Sequence, residues 1–388
     1  MQDGGTVIDP GGSAGDGSGA DDDRTGPIGP AAPDADLRPW WRRPRIWFRV
    51  LRDLVSLGAA AALLIWGLPR VAGVGWAEIV APLGRLSGIE VAGLAALQLS
   101  ALIAFTFTIT GALPGITHRQ ALTVNLAGSL VANTLPFGGA LGVGVTYAFC
   151  RSWGFSRSAI GVSVVLGGVF ASAGKIVVPL LGLAALVLQG GTLSDTLRDA
   201  AIAGVLTLSA VLVLFVVVLI SPTAARRITG GAQRATQAVL RAVGRPRRLA
   251  WQDGVEQLRR QTRDVLTAGW LPMSLGTAGY FAVYFGLFCW CLATVGVSAG
   301  VGSLLAAFAL GRLLTSVAVT PGGLGVVEAG TVALLVAMGA DPAATAGGVL
   351  LFTIFTHVLE IPFGVIAWLV WLSGRQGRTV QSVANTSR

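Results

Sequence analysis

Long apolar stretches, separated by short polar or glycine-rich segments, fill the chain from about residue 50 to residue 373. They cover approximately residues 54–68, 89–111, 119–150, 157–188, 199–220, 266–295, 301–340 and 343–373. A helix that crosses a bilayer needs about 20 consecutive apolar residues, and most of these stretches reach that length. The pattern therefore predicts an all-α fold, a polytopic bundle of transmembrane helices.

Two of the stretches, 119–150 and 301–340, are broken near their centres by proline and glycine. The first is too long for one straight span and too short for two. Proline removes a backbone donor and glycine loosens a helix, and a broken backbone at membrane depth survives only inside protein or beside water. We therefore expect two re-entrant hairpins. The breaking residues are Pro136, Gly138 and Gly139 in the first stretch and Pro321, Gly322, Gly323 and Gly325 in the second.

The two predicted hairpins resemble each other in sequence. Residues 133–142 (NTLPFGGALG) parallel residues 319–325 (VTPGGLG), and Gly154 pairs with Gly339 at an offset of 185 residues. The same offset pairs Lys175 with Glu360. One unit would enter from each side of the membrane, so the repeats would be inverted, as in many secondary transporters. The alternative is chance similarity between two segments rich in glycine and proline.

Arginine placement predicts the topology, because positive charge concentrates in cytoplasmic segments. Six arginines between Arg38 and Arg52 precede or open the first span, ten lie in the loop 221–264, and three follow the last span. These regions, and with them both termini, are expected in the cytoplasm of a multi-pass protein of the cell membrane. The loop is interpreted as a solvated segment that sets topology or, alternatively, as a surface helix that binds anionic lipid.

The organisation follows from these segments. Residues 1–37 are rich in Gly, Asp, Pro and Ala, a composition that buries too little apolar surface to fold, and they are predicted to be a disordered tail. Residues 38–373 form the predicted transmembrane domain, and residues 374–388 a cytoplasmic tail.

Composition supports the bilayer as the main solvent. The 388 residues are 53% hydrophobic and 12% charged, whereas soluble domains carry about 25% charged residues. The net charge of +9 could indicate nucleic acid, but most of the basic residues flank apolar stretches. Anionic lipid headgroups are therefore the expected partner, and nucleic acid is not. The oligomeric state is left open.

Ionisable side chains deep in a span are costly and indicate function by default. The candidates for substrate binding are Lys175, Arg312, Glu328, His357 and Glu360. Lys175, the only lysine in the chain, and Arg312 would hold a phosphate or carboxylate, for which the guanidinium fork is well suited. The acidic residues would balance charge or couple protons, and His357 would relay protons.

Each candidate also has a structural interpretation. Lys175 and Glu360 would form an ion pair, Glu328 would stabilise a helix start or pair with Arg312, and His357 would be a packing residue. Asn133, Thr134, Thr315 and Thr320 would line the cavity or cap broken helix ends. The residues alone do not decide between these alternatives.

Catalytic, metal and nucleotide motifs are not found. The three cysteines, Cys150, Cys289 and Cys291, lack zinc-type spacing and lie in or beside apolar segments. The glycine segments lack the full dinucleotide or phosphate-loop patterns, and the two histidines build no nucleophilic set. No cofactor, no metal and no enzymatic activity are expected.

Residues 320–330 (TPGGLGVVEAG), with the apolar run that follows to Gly339, resemble the second hairpin of the lysylphosphatidylglycerol synthase transmembrane, or flippase-like, family. Residues 133–136 (NTLP) with the glycines after them resemble its first hairpin, and the resemblance covers roughly residues 50–373. It implies an integral membrane protein associated with lipid translocation. Some members also carry an aminoacyl-transferase domain. This sequence ends without one, so synthase activity is not expected.

The resemblance carries over Arg312, Glu328 and the break at Pro321–Gly325. The family's first hairpin usually places an acidic residue and an arginine just after its glycines, whereas residues 142–147 here read GVGVTY. This difference puts the usual headgroup contacts in doubt. Three functions stay open: a lipid flippase or transporter of a lipid-linked intermediate, a small-solute or ion-coupled transporter, and a non-transporting partner of an envelope enzyme.

Overall fold

A computed structural model describes residues 58–135, 138–188, 251–315 and 320–386, together with isolated positions between 199 and 230. No strand occurs in this part of the chain, which is almost entirely helical. The all-α prediction is confirmed. In chain order the helices are α1 (Gly58–Ala72), α2 (Trp76–Val80), α3 (Gly88–Ala112), α4 (His118–Thr134), α5 (Gly138–Ser152), α6 (Arg157–Leu188), α7 (Trp251–Thr294), α8 (Val301–Leu314), α9 (Val326–Ala337), α10 (Pro342–Thr353) and α11 (Glu360–Thr386).

Four helical segments are long and apolar enough to cross a membrane. They are Gly88–Ala112, Arg157–Gly182, Arg259–Thr294 and Pro342–Gly374, and each falls on a stretch predicted from the sequence. The last joins α10 to α11 through a π-helical turn, Ile354–Val358. The chain is a membrane protein with four such spans in its described part. The count is five if the two bent segments at the start, Gly58–Ala72 and Trp76–Arg85, form one span.

The first apolar stretch, predicted at residues 54–68, is a helix that extends further than expected. Helix α1 continues to Ala72, and the chain then bends by 92° into the segment Trp76–Arg85. The bend is possible because Gly73 adopts a left-handed conformation with φ of 71°. This pair is a broken span or a re-entrant loop.

Glycines let α3 and α7 approach each other closely. A Cβ atom at Gly276 would lie 2.5 Å from the Thr108 backbone nitrogen, and Gly111 and Gly269 face each other without side chains. The hydroxyls of Thr108 and Thr277 are 3.1 Å apart across this contact. Small residues and cross-helix hydroxyls are the usual means by which helices associate in lipid, where the hydrophobic effect does not drive them together.

The two predicted breaks are present, and they are built differently. Helix α4 ends at Thr134, the next residue, Leu135, is extended (φ −113°, ψ 141°), and α5 begins at Gly138. Pro136 lies outside the described residues. In the second break, Gly322, Gly323 and Gly325 all have positive φ, so the chain turns through conformations that other residues rarely adopt. The passage of each pair through the membrane as a re-entrant hairpin stays a prediction.

Gly154 and Gly339, which the sequence pairs at an offset of 185 residues, have the same backbone conformation. Both glycines have φ of 93°, and each ends a helix with the same set of hydrogen bonds. Ser156 and Asp341 then cap the next helix, accepting hydrogen bonds of 3.1 and 2.8 Å from the third residue after them. The equivalent hydrogen-bond donors in the two turns are Trp153 and Met338, Gly154 and Gly339, and Phe155 and Ala340. The inverted orientation of the two units stays a prediction.

Several predicted segments lie wholly or largely outside the described residues. They are the tail 1–37, the span 199–220 and most of the loop 221–264. At the other end, α11 runs on to Thr386, so part of the predicted tail 374–388 continues the last helix.

Candidate functional site: a polar cavity where the two breaks meet

A cavity of about 260 Å³ lies where the two breaks approach each other. The turn Pro321–Gly323 of the second break packs against α4 and α5 of the first hairpin. Although the cavity is inside an apolar bundle, most of its lining side chains are polar. They are Asn125, Ser129, Asn133, Lys175, Tyr280, Tyr284, Arg312, Thr315, Thr356, His357 and Glu360, with Leu102, Phe105, Ala171 and Phe281 completing the wall.

Two cations converge on this cavity from different helices. Lys175 comes from the middle of α6, whose Pro179 lies one turn further on. Arg312 comes from the last turn of α8, where the helix dipole favours a positive charge. Neither cation forms an ion pair with another described residue. The cavity therefore holds two cations that make no ion-pair contact with a described carboxylate, although Glu360 also lines it.

Aromatic rings hold the Arg312 guanidinium. Its central carbon lies 5.1 Å from the ring centroid of Tyr284, 5.3 Å from that of Phe308 and 5.8 Å from that of Phe352. The side chain is only 8% exposed, and its buried Nε atom has no hydrogen-bond partner among the described residues. Cation–π contacts stabilise a charge but leave the N–H donors unused. Arg312 is thus fixed in place with a free donor.

Two amides hold the Glu360 carboxylate. Gln98 Nε2 donates to Oε1 at 2.8 Å, and Asn133 Nδ2 donates to Oε2 at 3.2 Å. Glu360 is the first residue of α11 and is 6% exposed. The predicted alternative of a structural ion pair between Lys175 and Glu360 is not seen. Both residues line the cavity, but Glu360 is bound to neutral groups, so Lys175 is left available.

His357 joins the second break to the cavity. It lies in the π-helical turn before α11, and its Nδ1 atom is 3.0 Å from the Thr356 hydroxyl. A Cβ atom at Gly322 would lie 3.1 Å from His357 Nε2 and 3.4 Å from Asn133 Oδ1. π-Helical turns of this kind are frequent at functional sites. The two breaks and the histidine therefore form one contact.

A family model described as the lysylphosphatidylglycerol synthase TM region matches residues 54–364. The chain belongs to this family. No curated relative matches it. The matched residues include both breaks and every residue that lines the cavity, so the resemblance seen in residues 320–330 is confirmed.

Glu328 lies apart from the cavity in this family member. Its Oε2 atom accepts a hydrogen bond of 2.6 Å from the Gly325 N–H, and its Oε1 atom accepts one of 2.7 Å from the Thr353 hydroxyl. With 1% exposure, the carboxylate stabilises the start of α9 after the second break. Of the five predicted substrate-binding residues, the structure brings Lys175, Arg312, His357 and Glu360 together in the cavity. Glu328 instead lines a separate void of about 10 Å³, which it shares with Arg312 and His357.

Uncharged polar residues of the cavity were largely missed by the sequence analysis. Asn125, Ser129 and Asn133 follow each other at intervals of four residues, which places them on one face of α4. Tyr280 and Tyr284 have the same spacing on α7. These two polar stripes are the signal that would have located the cavity walls without the structure.

The four small polar residues near the breaks have separate places. Asn133 and Thr315 line the cavity, whereas Thr134 donates to the Leu130 carbonyl and Thr320 to the Leu324 carbonyl. Elsewhere in the described part of the chain, no three His, Cys, Asp or Glu side chains are grouped so that they would hold a metal ion.

Proposed function

We propose that this membrane protein translocates a lipid with an anionic headgroup, as a flippase or as a transporter of a lipid-linked intermediate. The headgroup would bind in the polar cavity while the hydrocarbon stays in an apolar environment. Binding and movement suffice for this role, so the proposal includes no covalent step.

The observation that carries the proposal is the pair of cations, Lys175 and Arg312, in one cavity without an ion-pair partner among the described residues. An unpaired charge inside a bilayer-embedded protein is expensive, and proteins compensate it with a counter-charge. A phosphate between the two side chains would supply that counter-charge and accept from the free Arg312 Nε. The Glu360 carboxylate accepts its hydrogen bonds from two amides and forms no ion pair with either cation, so both cations can still contact a phosphate.

The size of the cavity supports a headgroup as its occupant. Its volume of about 260 Å³ is below the range of about 300–1,000 Å³ typical of pockets for drug-sized ligands. A whole phospholipid does not fit, whereas a phosphate with a small polar substituent does. The mixed lining would serve such a group, with cations for the phosphate and amides and hydroxyls for the substituent.

The helix breaks supply a means of movement. Broken helices at a central site are typical of secondary transporters, where one repeat moves against the other around the bound substrate. Here the contact of His357, Gly322 and Asn133 joins the two breaks beside the cavity. In this proposal the breaks are the tips of re-entrant hairpins, both termini and the loop 221–264 face the cytoplasm, and the protein lies in the cell membrane.

A vesicle assay tests the proposal. The full chain is reconstituted into phosphatidylcholine vesicles that contain phosphatidylglycerol with a fluorescent acyl chain, and the fraction of label reached by a membrane-impermeant quencher is followed over time. We expect translocation by the wild type, a strong loss in Lys175→Gln and Arg312→Gln, and wild-type rates in Arg119→Gln, which removes an exposed arginine outside the cavity.

Two results would contradict the proposal. Equal rates in the wild type, the Lys175→Gln variant and the Arg312→Gln variant would remove the cavity as the site. Uptake of soluble phosphate or carboxylate compounds with no lipid movement would favour the small-solute alternative. Folding of each variant is checked by its thermal unfolding in detergent.

A further inference from the structure

An apolar cavity of about 480 Å³ lies between α6, α7 and α8, next to the polar one. Among its described lining residues, Ser274 and Thr277 contribute the only hydroxyls. The Thr277 hydroxyl is turned to Thr108, 3.1 Å away. The rest of the wall is hydrocarbon or aromatic, including Val177, Leu181 and Ala278.

The two cavities share a wall. Phe281 lines both of them, and Lys175 of the polar cavity directly follows Gly174 of the apolar one. A Cβ atom at Gly174 would overlap the Phe281 ring, so the absence of a side chain there makes room for the ring. A molecule whose polar end lies at Lys175 therefore needs only to pass Phe281 for its other end to reach the apolar cavity.

The apolar cavity opens to the exposed apolar surface of α6. Val177 and Leu181 on its wall are 50% and 55% exposed, whereas Phe308 at its inner end is 2% exposed. Phe308 also carries the Arg312 guanidinium on its ring. The cavity thus runs from an exposed apolar surface to the aromatic residues around Arg312.

We propose that the cavity between α6, α7 and α8 binds an acyl chain of the same lipid whose headgroup occupies the polar cavity, and that Phe281 is the movable partition between them. This inference rests on the proposed function, because the headgroup at Lys175 and Arg312 fixes which lipid it is. A lipid that merely surrounds the protein would fill the same groove without depending on those two residues. That dependence separates the two cases.

Photo-cross-linking of the full chain tests the proposal. Phosphatidylglycerol with a diazirine on one acyl chain is compared with the matched phosphatidylcholine in vesicles, and the labelled peptides are mapped. We expect several-fold stronger labelling of residues 174–181 and 274–285 by phosphatidylglycerol, with the preference lost in the Lys175→Gln, Arg312→Gln double variant. Labelling spread evenly over lipid-facing helices, with no headgroup preference, would identify ordinary boundary lipid and overturn the proposal.

Filling the groove gives a second, independent test. Ala278→Trp should lower the groove labelling several-fold, whereas Ala268→Trp, at an exposed position of α7 outside the groove, should not. Ala282→Leu is a milder filling variant for use if the tryptophan disturbs folding. Unchanged labelling in a folded Ala278→Trp or Ala282→Leu protein would contradict acyl-chain binding there.

The role of Phe281 as a partition is tested separately, by the labelling pattern of a Phe281→Ala variant. In Phe281→Ala the labelled chain should also reach Leu102 and Phe105, which line the polar cavity from α3. The same labelling pattern as in the wild type would show that Phe281 does not separate the cavities.

Failure of this inference and failure of the proposed function give different results. If translocation needs Lys175 and Arg312 but is unaffected by Ala278→Trp, the result supports the proposed function and contradicts the acyl-chain site. If the labelling depends on headgroup and groove but no translocation occurs, the acyl-chain site stands as part of a lipid-binding protein that does not transport.

Discussion

The Asn133 side-chain amide donates a hydrogen bond of 3.2 Å to the Glu360 carboxylate. It joins the last turn of α4, just before the first break, to the first residue of α11, after the second. The contact therefore ties the two halves of the predicted repeat together at the wall of the polar cavity. Gln98 of α3 supplies the other amide.

Replacing Asn133 should loosen this connection. Asn133→Ala removes a donor from a buried carboxylate, which costs about 1–3 kcal/mol in typical cases. We expect a lower thermal unfolding temperature in detergent and slower lipid translocation. Thr134→Ala is the matched control, because Thr134 bonds only to the Leu130 carbonyl of its own helix. Equal effects of the two substitutions would contradict a special role for the Asn133 contact.

Gly322→Ala should be harmful, in contrast to Gly139→Ala at the other break. Gly322 has φ of 63°, and an added Cβ would lie 3.0 Å from the His357 ring. A left-handed conformation costs an L-residue roughly 1–2 kcal/mol, and His357 would also have to move. Gly139 is helical and has no atom within 4 Å of such a Cβ, so its replacement should not lower the stability. Thermal unfolding of the two variants measures the difference, and similar values would argue against a left-handed turn at Gly322.

Glu328→Gln should reduce stability without changing lipid selectivity. The substitution weakens the hydrogen bonds to the Gly325 N–H and the Thr353 hydroxyl, at a cost of about 1–3 kcal/mol. Lys175→Gln should instead reduce the lipid selectivity and leave the stability unchanged, since the Lys175 side chain lines the cavity. Unfolding temperature and preference for phosphatidylglycerol over phosphatidylcholine are measured on both. A loss of preference in Glu328→Gln would place this residue in the binding site.

Gly154→Ala and Gly339→Ala should lower the free energy of unfolding by the same amount. Both glycines have φ of 93° and open space around the missing Cβ, so backbone strain of roughly 1–2 kcal/mol is the whole effect. Gly167→Ala, at a helical glycine that also has open space, controls for the change of residue. Clearly different losses at Gly154 and Gly339 would show that the two turns are not energetically equivalent.

Helix positions could be predicted well where the apolar stretch itself sets the length. Residues 89–111 became Gly88–Ala112, and residues 343–373 became Pro342–Gly374. The bend after Ala72 was missed because the turn at Gly73 lies beyond the end of the first apolar stretch, where hydropathy carries no information about direction. Both breaks were found, since proline and glycine mark them directly.

The charged residues of the candidate site could also be selected from the sequence, because an ionisable side chain inside a bilayer is costly and indicates function. The amides and tyrosines could not be recognised by charge. Asn125 and Tyr284 have side chains that often serve packing in membrane helices, and only their spacing relative to other polar residues indicates a shared wall. The role of Glu328 was undecided for a different reason: a helix cap and a ligand site use the same carboxylate, and the hydrogen-bond partners decide between them.

The most direct measurement is the lipid selectivity of the purified protein by native mass spectrometry. Wild type and the Lys175→Gln, Arg312→Gln double variant are each incubated with equal amounts of phosphatidylglycerol and phosphatidylcholine of the same chain length. We predict that the wild type retains phosphatidylglycerol preferentially and that the double variant binds the two lipids equally. The same preference in both proteins would show that the two cations do not hold the headgroup, and it would contradict the proposed role of the polar cavity.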